Sequence, residues 1–315
     1  MSTRSQALAA IQGITNFASG YANDVIAQSV LADAYFLTGD PIKTALNFEY
    51  AQFDRADGIS IPDTKTASTD PVGALLVFGG TKITGTLDAH RATTEWYDAS
   101  ANVSDADLLL QLQSGVRQAT QALVTGRFKR ILDAASTAAG AGTTIDISDN
   151  DDPIDEIQEQ VQAVMLACGG YCQPRVLIGA SAFRKIAALA KFQSRINGGA
   201  TVNLPSTPTE QQMAAAIGMG VQVKVTNAVY NSAAPGQAAT GAFLLGDTIY
   251  VAATSPSPST QDPSALKVFE GNGSNGMTPV FMPHLNSVHE AATWGWMEKV
   301  QATNSSAIKK LTVQA

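Results

Sequence analysis

Charge is scarce in this chain. Only 15% of its 315 residues are Asp, Glu, Lys or Arg, against about a quarter in an ordinary globular domain. Much of its exterior must therefore be uncharged polar or apolar, a composition that suits a surface meeting other protein. Basic residues are the scarcer sign, and the formal net charge of −7 disfavours binding DNA by general phosphate neutralisation. It does not disfavour enclosing DNA. Cysteine is nearly absent. Cys168 and Cys172, spaced C-G-G-Y-C, have no second pair and no nearby histidine to complete a zinc site. They read as a helix end followed by a buried thiol. No apolar run reaches the ~20 residues of a membrane helix, and no charged-then-apolar signal opens the chain. A soluble protein made in a reducing cytoplasm is expected. At 45% hydrophobic, the chain has enough apolar matter for a core, in one or two domains.

What is present is organised around Ser104 to about Ala138, SDADLLLQLQSGVRQATQALVTGRFKRILDAASTA. Ser104 suits an N-cap, and Asp105 and Asp107 place negative charge in the first turn, where the helix dipole favours it. Leu109, Leu112, Val116, Ala119 and Leu123, drifting to Val124, Phe128, Ile131 and Ala135, recur with helical period. Arg127, Lys129 and Arg130 crowd the later turns, as the dipole prefers. Such a helix spans roughly 50 Å, several times the usual length. Gly115 and Gly126 weaken it, so another element must hold it. The partner is Val288 to Thr303, VHEAATWGWMEKVQAT. Ala292, Trp294, Trp296, Val300 and Ala302 alternate with His289, Thr293, Lys299, Gln301 and Thr303, which predicts a strand about 50 Å long. A long helix beside a strand of matching length makes an elongated platform.

The first 40 residues are rich in Ala, Ser, Gln and Asn, with an amphipathic helix expected over 25–37 and the character of an arm that becomes ordered on a neighbour. ALNFEYAQF (45–53) alternates, and 81–94 is rich in Thr and β-formers. Between them, GISIPDTKTASTDPVG is dense in turn residues, and Gly79-Gly80 suits a tight turn. Two strands with a long tip at 58–73 are expected, and a tip that polar either flops or lies on another subunit. After the long helix come a helix at 155–167, a buried strand at 174–179, a helix at 181–192, a capping box Thr207-Pro208-Thr209-Glu210 opening a helix to Ile217, a strand at 221–225, a hairpin at 242–253 around Gly246-Asp247, and a last strand at 307–313. Alternating strands and helices make this block a compact α/β domain.

Three motifs could carry chemistry. Gly271-Asn272-Gly273-Ser274-Asn275-Gly276 matches G-x-G-x-x-G, but Pro279 and Pro283 forbid the helix that a dinucleotide site needs. Ser181 stands at a strand-to-helix turn, as a hydrolase nucleophile does, with His90, His284 or His289 as a base. Yet Phe183 occupies the place of the elbow's second glycine, and Ser181 more simply caps a helix. Asp146, Asp149, Asp151, Asp152 and Asp155 lack the glycine and glutamate of an EF-hand, and read as a solvated loop that caps the next helix. No catalytic, cofactor-binding or metal residue is expected, so the chain is not expected to be an enzyme.

The order of these parts resembles the major capsid proteins of tailed double-stranded-DNA bacteriophages, with the α+β Hong Kong 97-like fold. DDPIDEIQEQVQAVMLACGG, PRVLIGASAFRKIAALAKFQSRI, TPTEQQMAAAIGMGVQVKVTNAVYN and GDTIYVAA are similar, in that order, to the helices and strands of the family's axial domain. The resemblance covers nearly everything after about residue 40. It implies an N-terminal arm at 1–40 and an extended β-hairpin loop at 41–97 reaching across the next subunit. It implies a peripheral domain at 98–140 and 278–304, holding the spine helix and long strand, and an axial domain at 141–277 and 305–315. The intersubunit contacts of the loop tip then fall to Ile59, Ile61, Asp63, Lys65 and Asp70. Lys65 and Lys82 are the lysines available to a crosslink, but no partner asparagine or promoting glutamate is evident, and crosslinking is not carried over. The partners implied are the chain's own copies, in hexamers and pentamers, with a separate scaffolding protein and a portal. A decoration protein is left open, packaged double-stranded DNA lies inside without sequence-specific binding, and no membrane is involved. The location implied is the virion shell, assembled in the host bacterial cytoplasm. Two alternatives stand beside this one: an encapsulin-type nanocompartment shell, and an α/β hydrolytic enzyme using Ser181.

Overall fold

The computed structural model describes residue 24 and residues 31–53, 80–97, 105–147, 152–196, 208–233, 237–238, 240–271, 280–285 and 289–314. In chain order these form α1 (Leu31–Ala34), β1 (Ile42–Thr44), β2 (Asn47–Gln52), β3 (Thr81–Thr86), β4 (Asp88–Tyr97), α2 (Asp105–Ala139), β5 (Thr143–Asp146), α3 (Pro153–Ala167), β6 (Gln173–Gly179), α4 (Ala180–Ala187), α5 (Ala190–Ile196), α6 (Glu210–Ile217), β7 (Gln222–Thr226), β8 (Val229–Asn231), β9 (Gly241–Phe243), β10 (Thr248–Thr254), β11 (Leu266–Gly271), β12 (Val280–Leu285), β13 (His289–Ala302) and β14 (Ile308–Gln314).

The helix and strand that dominate the sequence dominate the structure. Helix α2 runs 35 residues without a break, about 52 Å at 1.5 Å per residue. From Val116 onward its expected stripe is the buried one: Val116, Ala119, Leu123, Val124, Phe128, Ile131 and Ala135, joined by Leu132. Each large apolar side chain so buried contributes about 2 kcal/mol, which offsets the two glycines. The expected cap at Ser104 and the side chains of Leu109 and Leu112 lie outside the described residues. Strand β13 has 14 residues and organises the first sheet. Strand β4 runs along one edge, from His289↔Tyr97 to Glu298↔Asp88. Strands β12 and β11 succeed one another along the other edge, and β1 adds parallel to β11. The second sheet has the order β5-β14-β10-β6-β7 and carries α3 to α6. The last strand, β14, pairs with β10 and β5 there, so the chain end returns to the α/β block as expected.

Strands β2 and β3 pair antiparallel, Asn47↔Thr86 to Gln52↔Thr81, and the expected loop tip lies between them, outside the described residues. The Thr-rich stretch is two strands, not one. It breaks at Leu87, which is buried and donates its N–H to Leu46 O at 3.0 Å, where the chain leaves the hairpin for the first sheet. Phe48 lies over Gly85 and stacks on Phe269 of β11 with ring centroids 4.3 Å apart. An aromatic seat thereby fixes the root of the hairpin to that sheet.

Several expectations are corrected. The helix at 181–192 is two, α4 and α5, parted after Ala187. Gly246-Asp247 is not a hairpin turn, because β9 pairs with β8 while β10 pairs with β14 and β6. The capping box sits two residues later than expected: Thr209 is the N-cap, reciprocated by Gln212. That leaves Glu210 to accept from Val225 N at 2.7 Å. The N-terminal helix expected over 25–37 ends at Ala34, and its part at 25–30 lies outside the described residues. The chain enters the core there, with Ala34 and Leu37 fully buried. Ser181 does not cap α4. The N-cap position is Gly179, with no side-chain cap hydrogen bond.

Candidate functional site

The chemistry of this molecule concentrates where α2 packs on the first sheet. Arg127 lies one helical step from Val124 and on the same face as Phe128 and Ile131, so the stripe that builds the core carries its guanidinium inside. It is fully buried. The apolar face of β13 likewise carries Glu298, fully buried two residues after Trp296. The two form a direct ion pair through Arg127 Nε and Glu298 Oε2. Arg127 Nη2 also donates to Glu270 of β11 at 3.3 Å, Nη1 pairs with the Tyr35 hydroxyl, and the guanidinium lies 4.0 Å from the Trp296 ring centroid.

Each carboxylate has a second cation. Lys43 of β1 donates to Glu270 Oε2 at 2.7 Å, and Arg130, one turn along α2, donates from Nε to Glu298 Oε1 at 2.9 Å. His90 of β4 stands 4.0 Å from the same oxygen. Burial opposes the Arg127 charge, yet Glu298, Tyr35 and Glu270 outweigh it and hold the group above its ordinary value. Burial, with the Arg130 charge beside it, holds the His90 imidazole below its ordinary value. Burial raises the Tyr35 phenol. The expectation that Arg127 and Arg130 serve the helix dipole is therefore corrected: they neutralise carboxylates of the sheet. Lys129, between them, instead makes a surface pair with Asp133 at 2.8 Å. The cluster was signalled in the sequence by charged residues at core-facing positions of both long elements.

A second buried polar knot closes the turn between β10 and β11. Lys267 is fully buried and donates to Asp262 O at 2.6 Å, and burial lowers its pKa. Ser264 donates to Asp262 Oδ1 and accepts from Ser255 N at 2.9 Å. Asn304 ties the knot to α3 through Ala167 O at 3.2 Å. Cys168 ends α3, and both cysteines are buried free thiols. These groups hold backbone in place.

The loop-tip residues Ile59, Ile61, Asp63, Lys65 and Asp70 lie outside the described residues. Lys82, on β3, pairs with Glu49 at 2.5 Å. Of the acidic run, Asp152 caps α3 through Ile154 N, and Asp152 and Asp155 both pair with Arg195. Among the described residues no group of three or more His, Cys, Asp or Glu could hold a metal, and no helix is long and apolar enough to cross a membrane. The element after the glycine-rich run is a strand, β12.

No family model and no curated protein matches the sequence. Solved structures do. A phage-related protein of Bordetella bronchiseptica RB50 matches 94% of this chain and 96% of its own, with a TM-score of 0.65 at 14% identity. The putative capsid protein of a prophage of E. coli CFT073 matches 95% and 99%, with a TM-score of 0.54 at 11% identity. The virus-like particle from Pyrococcus furiosus matches 94% and 98%, with a TM-score of 0.50 at 12% identity. At such identities the likeness is one of fold, and the chain has the mixed α+β, Hong Kong 97-like fold of phage capsid proteins.

Proposed function

We propose that this chain is a major capsid protein of a tailed double-stranded-DNA bacteriophage, a structural subunit that assembles into capsomers and an icosahedral shell around the genome. The observation that carries the reading is the platform of α2 braced on β13, in a fold shared over 94% of the chain with a phage-related protein. Such a platform is stiff along its length, because a buried ion cluster and an apolar stripe fasten helix to sheet. Its job is mechanical, and no catalysis is assigned to it.

The parts take roles accordingly. The arm, expected at 1–40, is shortened to the chain before about residue 31, since Ala34 and Leu37 already belong to the subunit's own core. The hairpin that begins at β2 and β3 reaches a neighbouring subunit with the tip at 58–73. The axial domain, expected at 141–277 and 305–315, gives up β11 to the first sheet and keeps the block from β5 to β10 with β14. Partners are further copies in hexamers and pentamers, a separate scaffolding protein, a portal and, in some shells, a decoration protein. The net charge of −7 fits enclosing DNA with weak affinity for it, in the virion shell.

The likeness to the virus-like particle from Pyrococcus furiosus favours one second reading, an encapsulin-type shell around protein cargo. Negative-stain microscopy of the purified chain is the test. Closed particles support a shell. Nuclease-protected DNA in particles from the native source selects the capsid, and protein cargo selects the nanocompartment. A small discrete species whose hydrolytic activity is lost in Ser181→Ala overturns both.

A further inference from the structure

We infer that Arg127 couples the N-terminal segment to the root of the β2–β3 hairpin, so that the grip on one sets the firmness of the other. The coupling belongs to the single subunit, whatever that subunit assembles into.

The hairpin has two roots in the first sheet, β1 before it and β4 after it; a side chain of one cluster binds the first and the second borders that cluster. Lys43 of β1 binds Glu270 at 2.7 Å. His90 of β4 faces Glu298 at 4.0 Å. Arg127 is bonded to both carboxylates, and its Nη1 is bonded to the hydroxyl of Tyr35. The links Tyr35–Arg127–Glu270–Lys43 and Tyr35–Arg127–Glu298 are therefore continuous, and His90 stands 4.0 Å beyond the second without a hydrogen bond. They share one guanidinium that solvent does not reach. Charges in such a place cannot relax into water when a partner is lost. They redistribute among the partners that remain, which makes buried networks non-additive.

The next residue supplies a built-in control. Phe36 lies under a different arginine, Arg175 of β6, with the guanidinium 5.6 Å from the ring centroid. Arg175 Nη1 also donates to Phe36 O at 2.9 Å, and Thr254 of β10 donates to Leu37 O at 2.7 Å. The segment is thus held to Arg127 of α2 by Tyr35 and to the second sheet by Phe36 and Leu37. Loosening it at Tyr35 disturbs the cluster, whereas loosening it at Phe36 leaves the cluster's bonds in place.

The test is native-state hydrogen exchange on the full chain as free subunit. Tyr35→Phe removes the hydroxyl and keeps the ring. It is expected to lower protection over 42–53 and 80–92 roughly tenfold, the scale of one hydrogen bond to a charged group. Phe36→Leu, which keeps Tyr35 on Arg127, is expected to lower protection at 36–39 and leave 42–53 unchanged. Unchanged protection at 42–53 in Tyr35→Phe overturns the inference, and so does an equal loss there in Phe36→Leu. Should Tyr35→Phe lower protection everywhere, the double-mutant cycle of Tyr35→Phe with Lys43→Met decides. Non-additive unfolding free energies are expected, and additive ones overturn the coupling.

Discussion

Arg127 on the long helix and Glu298 on the long strand are paired with both side chains sealed from solvent, and the asymmetry of such pairs makes a prediction. Breaking one by removing a single partner strands a buried charge and costs about 3–5 kcal/mol, while replacing both by apolar residues of similar size is often close to neutral. Arg127→Met should lose that much in urea denaturation of the free subunit. Arg127→Met with Glu298→Met should recover most of it, since Glu270 keeps Lys43 and Arg130 is partly exposed. Equal losses in the single and double variants would contradict the pairing.

Gly179, not Ser181, is the constrained position where β6 turns into α4. A Cβ on Gly179 meets Gly246 O at 2.1 Å and Leu245 O at 2.3 Å, both backbone atoms. Gly179→Ala is expected to cost about 3 kcal/mol or more as overpacking. Ser181→Ala should change stability by no more than ~0.5 kcal/mol. Thermal melts of the two variants side by side check the pair.

The start of α6 distinguishes two registers of one motif. Thr209 accepts from Gln212 N at 3.2 Å, and Gln212 Oε1 accepts from Thr209 N at 2.8 Å. Thr209→Ala should cost ~1 kcal/mol, and Thr207→Ala almost nothing. The reverse order in chemical denaturation would restore the register that starts at Thr207.

His90 gives a pH dependence with a definite sign. Its folded-state pKa is depressed, by burial first and by Arg130 second, so the unfolded chain takes up a proton before the folded one does. Stability is unaffected well above the ordinary value of about 6.5 and falls as pH drops from there towards the depressed folded value. His90→Gln should flatten the unfolding midpoint over that window. An unchanged slope would mean that another group carries it.

Replacing residues 58–73 with a short Gly-Ser turn tests the loop tip, whose large apolar residues are Ile59, Ile61 and Val72. It has little to bury in its own subunit, and a weak contact repeated in every subunit of a shell acts by avidity. The melt of the free subunit should barely move, while particle yield by sedimentation drops. A collapsed melt would make the segment core, and normal particles would remove it from the interface.

Local chemistry was legible in the sequence wherever a period or a cap repeats within a few residues. Val116 to Ala135 show their buried stripe as they stand, and the alternation of Trp296, Val300 and Ala302 shows its strand. Asp152 announces its helix and Cys168-Gly169-Gly170 the end of it, both glycines adopting positive φ. Errors arose where two registers are locally equal, as at Thr207 and Thr209, or where a turn signal competes with distant pairing. Gly246-Asp247 has hairpin chemistry, but β10 has longer ladders to form with β6 and β14 than β9 could give it.

The sequence by itself determined the long helix, the long strand and their apolar faces, because those depend on spacing along one chain. Only the tertiary structure decided what the charges are for. Arg127, Glu270 and Glu298 are far apart in sequence, and each alone reads as a solvated residue or a dipole partner. Burial joins them, since a charge drawn into the core by its neighbours in the stripe must find its opposite there. That opposite comes from whichever strand the sheet topology brings alongside.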